Sequence, residues 1–295
     1  MMRRFLIAAC AWCLMQTAHA LTVLDDTGRA VTLARPAQRV ISLAPHATEL
    51  VFAAGGGAHL VGVIAYSDFP NEAKRIPVIG DSRQIDIERL LALKPDLLVV
   101  WPNGNSARQL AQLQRLSIPI FFSEPARLEA LPDAVLRLGQ LLGTNNVATQ
   151  RATEMRQKLF ALTAKYNNRP VVKIFYQVWS APLYTINGRH IISDAIRLCG
   201  GENIFDALST VSPVVDIEAV LQKNPEAIVT AADRQQSDSG LAMWQRYPAM
   251  LAVKRKNLIV VDADFMSRAG PRLIDGAGQL CERIELVRSG RGSIR

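Results

Sequence analysis

The chain has 295 residues, a formal net charge of +8, and 49% hydrophobic against 20% charged side chains. That is length enough for two compact domains with real cores. The basic residues are scattered, clustering only at Lys254–Lys256 and in the Arg288–Arg295 end. Neither cluster alternates with aromatic residues, so nothing points to nucleic acid as a partner.

The first element is a leader. Arg3 and Arg4 open it, Phe5–Met15 is almost wholly apolar, and Ala18-His19-Ala20 supplies a small-residue cleavage site. This predicts a secretory signal peptide over residues 1–20, its apolar run too short to span a membrane. A lipoprotein alternative through Cys10 would leave almost no apolar segment ahead of that cysteine. Removing twenty of the 295 residues leaves 275, lowers the charge from +8 to +6 by loss of Arg3 and Arg4, and discards Cys10 and Cys13. No later stretch has the roughly 18 apolar residues of a span, so a soluble periplasmic monomer is expected. Cys199 and Cys281, the remaining cysteines, are predicted to form one disulfide in that oxidising compartment.

After the leader, Thr22–Leu24 and Val31–Leu33 flank the turn residues Asp25–Gly28, a hairpin pattern. Strands are predicted at 40–43, 61–65, 97–101 and 118–122, and helices at 47–54, 87–93, 106–116 and 131–142, the last closed by Gly143. Alternation of this kind means βαβ units and a mostly parallel sheet. Residues 144–165 break the rhythm with one long helical pattern. Its apolar positions Ala148, Ala152, Met155, Leu159 and Leu162 recur at steps of three and four. The βα alternation then resumes at 171–178 and continues through 194–198, 217–223, 227–230 and 258–261.

The two halves share a repeat. Ile85–Val100 aligns without gaps to Val215–Thr230 at a constant offset of 130, with six of sixteen positions identical. The expected architecture is α/β. Two Rossmann-like lobes (21–143 and 169–288) are joined by one backbone helix (144–168), and residues 289–295 form a disordered basic tail. A single helical crossover implies a stiff hinge and small closure, and the cleft between lobes is the expected site.

Enzyme signatures are missing: there is no G-x-S-x-G, no phosphate-binding G-x-x-x-x-G-K-[ST] and no H-E-x-x-H. Gly55–Gly57 ends a helix instead of opening one. His46, His59 and His190 fall in separate segments without ligand spacing and read as ordinary loop residues, so no metal site is expected. Loops at the carboxyl ends of parallel strands should face the cleft. They carry Pro45 and His46, Tyr66, Trp101, Trp179, and Asp264 with Phe265. Flat apolar walls with a few polar groups suit a large ring system with amide arms better than an ion or a sugar phosphate. Trp244 and Tyr247 read as packing residues.

These residues carry a resemblance. Ser42–Leu50 (SLAPHATEL), Gly62–Pro70 (GVIAYSDFP), Cys199–Phe205 (CGGENIF) and Arg268–Arg272 (RAGPR) resemble the cobalamin-binding branch of the helical-backbone receptors that serve ABC importers, a class that also binds siderophores and haem. The similarity runs from about Arg39 to Cys281. It implies a non-catalytic receptor that binds cobalamin or a related corrinoid and delivers it to a permease dimer in the inner membrane. It places Tyr66 and Trp101 against the corrin and the loop of Asp264, Phe265, Met266, Ser267 and Arg268 in contact with ligand. It pairs Cys199 with Cys281, and assigns Glu88 and Glu218, equivalent in the repeat, to transporter docking. Ser82 and Ser212 stand where the family has tryptophans, a gap that Trp179 could partly fill. A haem or ferric-siderophore receptor with Tyr66 on iron is the alternative. Only Arg268 and Arg83 offer themselves there as basic cleft residues.

Overall fold

The computed structural model describes residues 20–232 and 239–292; the leader lies outside the described residues, apart from Ala20. A hairpin of β1 (Leu21–Leu24) and β2 (Ala30–Leu33) precedes the first lobe. That lobe runs β3 (Val40–Ser42), α1 (Pro45–Ala53), β4 (Leu60–Val63), α2 (Ile87–Ala92), β5 (Leu97–Val100), α3 (Ala107–Gln114), β6 (Ile120–Phe122) and α4 (Ala130–Leu142). The backbone helix α5 (Asn145–Tyr166) leads to the second lobe. This comprises β7 (Val172–Gln177), β8 (Trp179–Ser180), β9 (Leu183–Tyr184), α6 (Ile191–Leu198), β10 (Gly201–Asn203), α7 (Ile217–Lys223), β11 (Ala227–Ala232), α8 (Leu251–Lys254), β12 (Leu258–Asp262), α9 (Ala263–Met266) and α10 (Arg272–Ser289).

Each lobe is built on a four-stranded parallel sheet, ordered β4-β3-β5-β6 in the first and β10-β7-β11-β12 in the second. Numbered within its own lobe, each sheet has the order 2-1-3-4. All four residues of β5 are buried, the continuous apolar run that a parallel sheet covered on both faces requires. The sequence repeat is the same helix–turn–strand unit in both lobes. α2 and α7 both end in a left-handed residue, Lys94 at φ 47° and Asn224 at φ 43°, directly before Pro95 and Pro225. A following acid then fastens the neighbouring strand: Asp96 accepts the Gln38 and Arg39 N–H groups at 2.9 Å, and Glu226 accepts that of Lys173 at 3.2 Å.

α5 buries Ala148, Ala152, Met155, Leu159 and Tyr166, so its inner stripe ends one turn beyond the expected Leu162, which is only half-buried. At 1.5 Å per residue its 22 residues span about 33 Å, roughly the diameter of a small domain. It packs on α4 and α1 of the first lobe and on α6 and α10 of the second. Gly139 makes the α4–α5 crossing possible, since a Cβ there would lie 2.3 Å from that of Ala148. α4 ends at Gly143 with φ 70°, the left-handed C-cap that favours glycine.

Cys199, at the C-terminus of α6, is disulfide-bonded to Cys281 in α10, with Cα atoms 4.6 Å apart. The hairpin of β8 and β9, strand β10 and helix α10 were not among the expected elements. Gly276 and Gly278 weaken the helical propensity of α10, yet it forms because Leu273, Ile274, Ala277, Leu280, Cys281 and Ile284 bury one face against the core. Within the expected tail, Ser289 ends α10, a 3-10 turn over Gly290–Gly292 follows, and Arg291 pairs with Glu226 at 2.6 Å. Residues 293–295 lie outside the described residues.

Candidate functional site

Parallel strands send their carboxyl ends toward the facing lobe, and the loops there enclose a cavity of about 540 Å³ between the lobes. The first lobe contributes Pro45, His46, Trp101 and Glu124; the second contributes His190, Met266, Ser267 and Arg268, among others. Six of the predicted ligand residues therefore meet in one space.

Local structure explains each position. Pro45 opens α1, where its missing N–H leaves no helical bond unmade. His46 follows in the first turn, buried, with Nε2 3.3 Å from the Ser123 carbonyl oxygen. Burial pushes its pKa down to about 4 against the weaker opposing effect of that hydrogen bond, so the ring is neutral at pH 7. The Trp101 ring meets His46 edge-on at 5.5 Å, and its indole N–H donates to Glu124 Oε1 at 3.3 Å. Asn103 donates to the same oxygen at 2.5 Å. Met266 is buried beneath the wall, while Ser267 is exposed in it.

Arg268 and Arg272 tie this wall to the opposite lobe. Arg272 clasps the buried Glu49 of α1 with Nε at 3.1 Å and Nη2 at 2.7 Å. Arg268 lies 3.4 Å from Glu49, 2.6 Å from Asp68 and 3.6 Å from Asp264. Partial burial works against charge on Asp68, but the hydrogen bond and charge of Arg268 outweigh it and hold the carboxyl below its usual value. The guanidinium of Arg268 is thus largely committed to carboxylates of its own chain.

Other predicted residues lie elsewhere. Tyr66 and Trp179 follow β4 and β7 but are 79% and 63% exposed and lie outside the cavity lining. Tyr66 has φ 66°, a left-handed conformation uncommon for a bulky residue. Asp264 is exposed beside Arg268. Phe265 turns away from this cavity; its ring lies 5.6 Å from the Arg272 guanidinium, which stacks on Phe69 at 4.0 Å. Both phenylalanines line a separate flank groove of about 690 Å³ beside α1 and α5. Ser212, with His190 and Ser267, lines a further space of about 150 Å³, whereas Ser82 is exposed away from the cleft lining. Trp244 is fully buried against Phe175, as expected of a packing residue. Glu88 and Glu218 are exposed in the first turns of α2 and α7 and make no ion pair among the described residues. No cluster of three or more metal-ligating side chains occurs among the described residues.

Several lining residues were not anticipated. Glu124 lies two residues beyond β6 and was accessible to the same strand-end argument that selected Trp101. Arg189 and His190 come after the unforeseen hairpin of β8 and β9, which hid their proximity to the cleft. His190 is not the ordinary loop residue expected: it is the N-cap of α6, its Nδ1 accepting the Ile192 N–H at 3.2 Å, and burial lowers its pKa to about 4. His46 likewise is helical and buried, where the sequence suggested a loop.

Comparison with known proteins finds relatives over most of the chain. A vitamin B12-binding protein of Vibrio vulnificus is 36% identical over 259 residues, 88% of this chain and 94% of that one. The vitamin B12-binding protein of Yersinia pestis is 38% identical over 254 residues, 86% and 89% of the two chains. The crystal structure of the periplasmic vitamin B12-binding protein BtuF of Vibrio cholerae, at 36% identity, matches with a TM-score of 0.78 over 85% of this chain and 98% of that one. A periplasmic haem-binding protein of Pseudomonas aeruginosa, at 26% identity, matches with a TM-score of 0.69 over 83% and 91%. The model of the periplasmic binding protein family matches residues 40–265, and the chain belongs to that family.

Proposed function

We propose that the protein is a periplasmic receptor that binds cobalamin or a related corrinoid in the inter-lobe cleft and passes it to an ABC importer of the inner membrane. The observation that carries this reading is the meeting, in one cleft cavity, of Pro45, His46, Trp101, Met266, Ser267 and Arg268 from both lobes. It is supported by relatives named for vitamin B12 at 36–38% identity over nearly their whole length. Trp101 supplies a flat aromatic wall to this cavity, a surface suited to an extended macrocycle. Glu88 and Glu218, one on each lobe at equivalent repeat positions, are the docking acids for a twofold-symmetric permease.

A haem or ferric-siderophore receptor with Tyr66 on iron would need that tyrosine in the lining and a free cation beside it. Arg268 is already paired with three carboxylates, and Tyr66 lies outside the cavity lining. Calorimetric titration of the mature protein with cyanocobalamin and, separately, with haemin tests the assignment. Saturable binding of the corrinoid in preference to haemin is expected; the reverse order would replace this reading with the haem one.

A further inference from the structure

Two histidines reach the cleft cavity from opposite lobes. His46 Nε2 faces the Ser123 carbonyl oxygen. A carbonyl only accepts, so Nε2 carries the ring proton and Nδ1 keeps its lone pair, with no donor to it among the described residues. His190 Nδ1 accepts the Ile192 backbone N–H. Its proton is therefore on Nε2, and no described residue accepts it. Both rings hold the same tautomer with opposite ends unpaired among the described residues: the acceptor Nδ1 on the first lobe and the donor Nε2–H on the second. Both are neutral at pH 7 because burial lowers each pKa to about 4.

We propose that His46 and His190 read the peripheral carboxamides of the ligand, an amide N–H donating to His46 Nδ1 and an amide carbonyl accepting the His190 Nε2–H. The inference deepens the functional reading above and rests on it, since a corrinoid carries such amides around its ring. A carboxamide is a neutral group supplying both complementary ends. A carboxylate at neutral pH only accepts, so it would meet the His46 lone pair with no proton between them. Glu124 adds another acceptor to the same lining. The Arg268 charge is not free for an anion either, since it is paired with Glu49, Asp68 and Asp264. Coordination of a metal by His190 Nε2 would require its proton to move to Nδ1, where the Ile192 N–H already points. A site built to satisfy a hydrogen-bonding group discriminates strongly against an analogue lacking it.

The test compares cyanocobalamin with its monocarboxylates, in which one side-chain amide has been hydrolysed, by calorimetry on the mature protein at pH 7. At least one isomer should bind the wild type tenfold or more weakly than the parent. That ratio should fall below about threefold in His46→Phe, which removes the acceptor while keeping a ring. A ratio unchanged in that variant would overturn the pairing. Should the variant not fold, the wild-type ratios suffice: equal affinities for the parent and every isomer would overturn the inference while leaving the receptor reading intact. A wild type that binds no corrinoid would overturn both. Long-range nitrogen–proton NMR of the ligand-free protein reads the tautomers directly, and Nδ1–H in either histidine would also overturn the inference.

Discussion

Neutral imidazoles in a buried wall make the fold sensitive to acid. For His46 and His190 the ordinary pKa is 6.5 and the folded value about 4. Above pH 6.5 both are neutral in either state, and burying them carries no protonation penalty. Between 6.5 and 4 the unfolded chain takes up protons that the folded one refuses. Stability therefore falls with pH, by roughly 3 kcal/mol per histidine once the pH is below 4. Urea unfolding at pH 7 and pH 4.5 should show a decrease that is about 2 kcal/mol smaller in His46→Gln than in the wild type; equal decreases would mean that His46 is not held neutral. Single residues were only partly legible in the sequence. Trp101 and Pro45 were expected at the cleft because strand-end loops announce themselves by position, and both line the cavity. Phe265 lines the flank groove instead, because position alone does not tell which way a side chain turns from a short helix; its ring lies 5.6 Å from the Arg272 guanidinium.

Elements were more legible than residues, because periodicity reports burial directly. The repeat of Ile85–Val100 in Val215–Thr230 proved to be a shared unit down to its left-handed turn residue and the acid that fastens the next strand. Helix α10 escaped notice because its two glycines dilute the pattern, and its stability comes from tertiary packing. The disulfide fastens α10 to α6 across 82 residues of chain, a loop whose closure stabilises the fold by about 4.5 kcal/mol in the chain-entropy model. Thiol titration of the denatured, unreduced mature protein should find essentially no free thiols, and Cys281→Ser should lower stability by roughly 2–5 kcal/mol. Reactivity of both cysteines would contradict the pairing. The equivalent first turns of α2 and α7 carry the docking prediction. Glu88→Ala and Glu218→Ala should each slow reconstituted uptake without changing ligand affinity, and reversing both charges should abolish docking at moderate salt. Unchanged uptake in the double reversal would reduce both to favourable helix-start acids.

At the scale of the molecule, the lobes are joined by more than α5. Glu49 receives Arg272 and Arg268 across the cleft floor, and on another side Asp194 accepts the Leu128 N–H at 2.9 Å. Opening of the lobes would strip a buried carboxylate of its partners. Glu49→Ala should destabilise the protein by about 3–5 kcal/mol, as removal of one member of a buried ion cluster does, and should speed amide exchange on α9 and the start of α10. A loss under 1 kcal/mol with unchanged exchange would mean that the clasp does not hold the lobes. The two-lobed plan was legible from the repeat and the long central helix, but the clasp was not, because contacts separated by more than 200 residues leave no local pattern. The central claim, a corrinoid held in the cleft, is met most directly by calorimetric titration of the mature wild type with cyanocobalamin alongside Trp101→Ala. The account predicts saturable one-to-one binding that weakens by more than 1 kcal/mol on loss of the indole wall; no binding by the wild type, or equal binding by the variant, would contradict it.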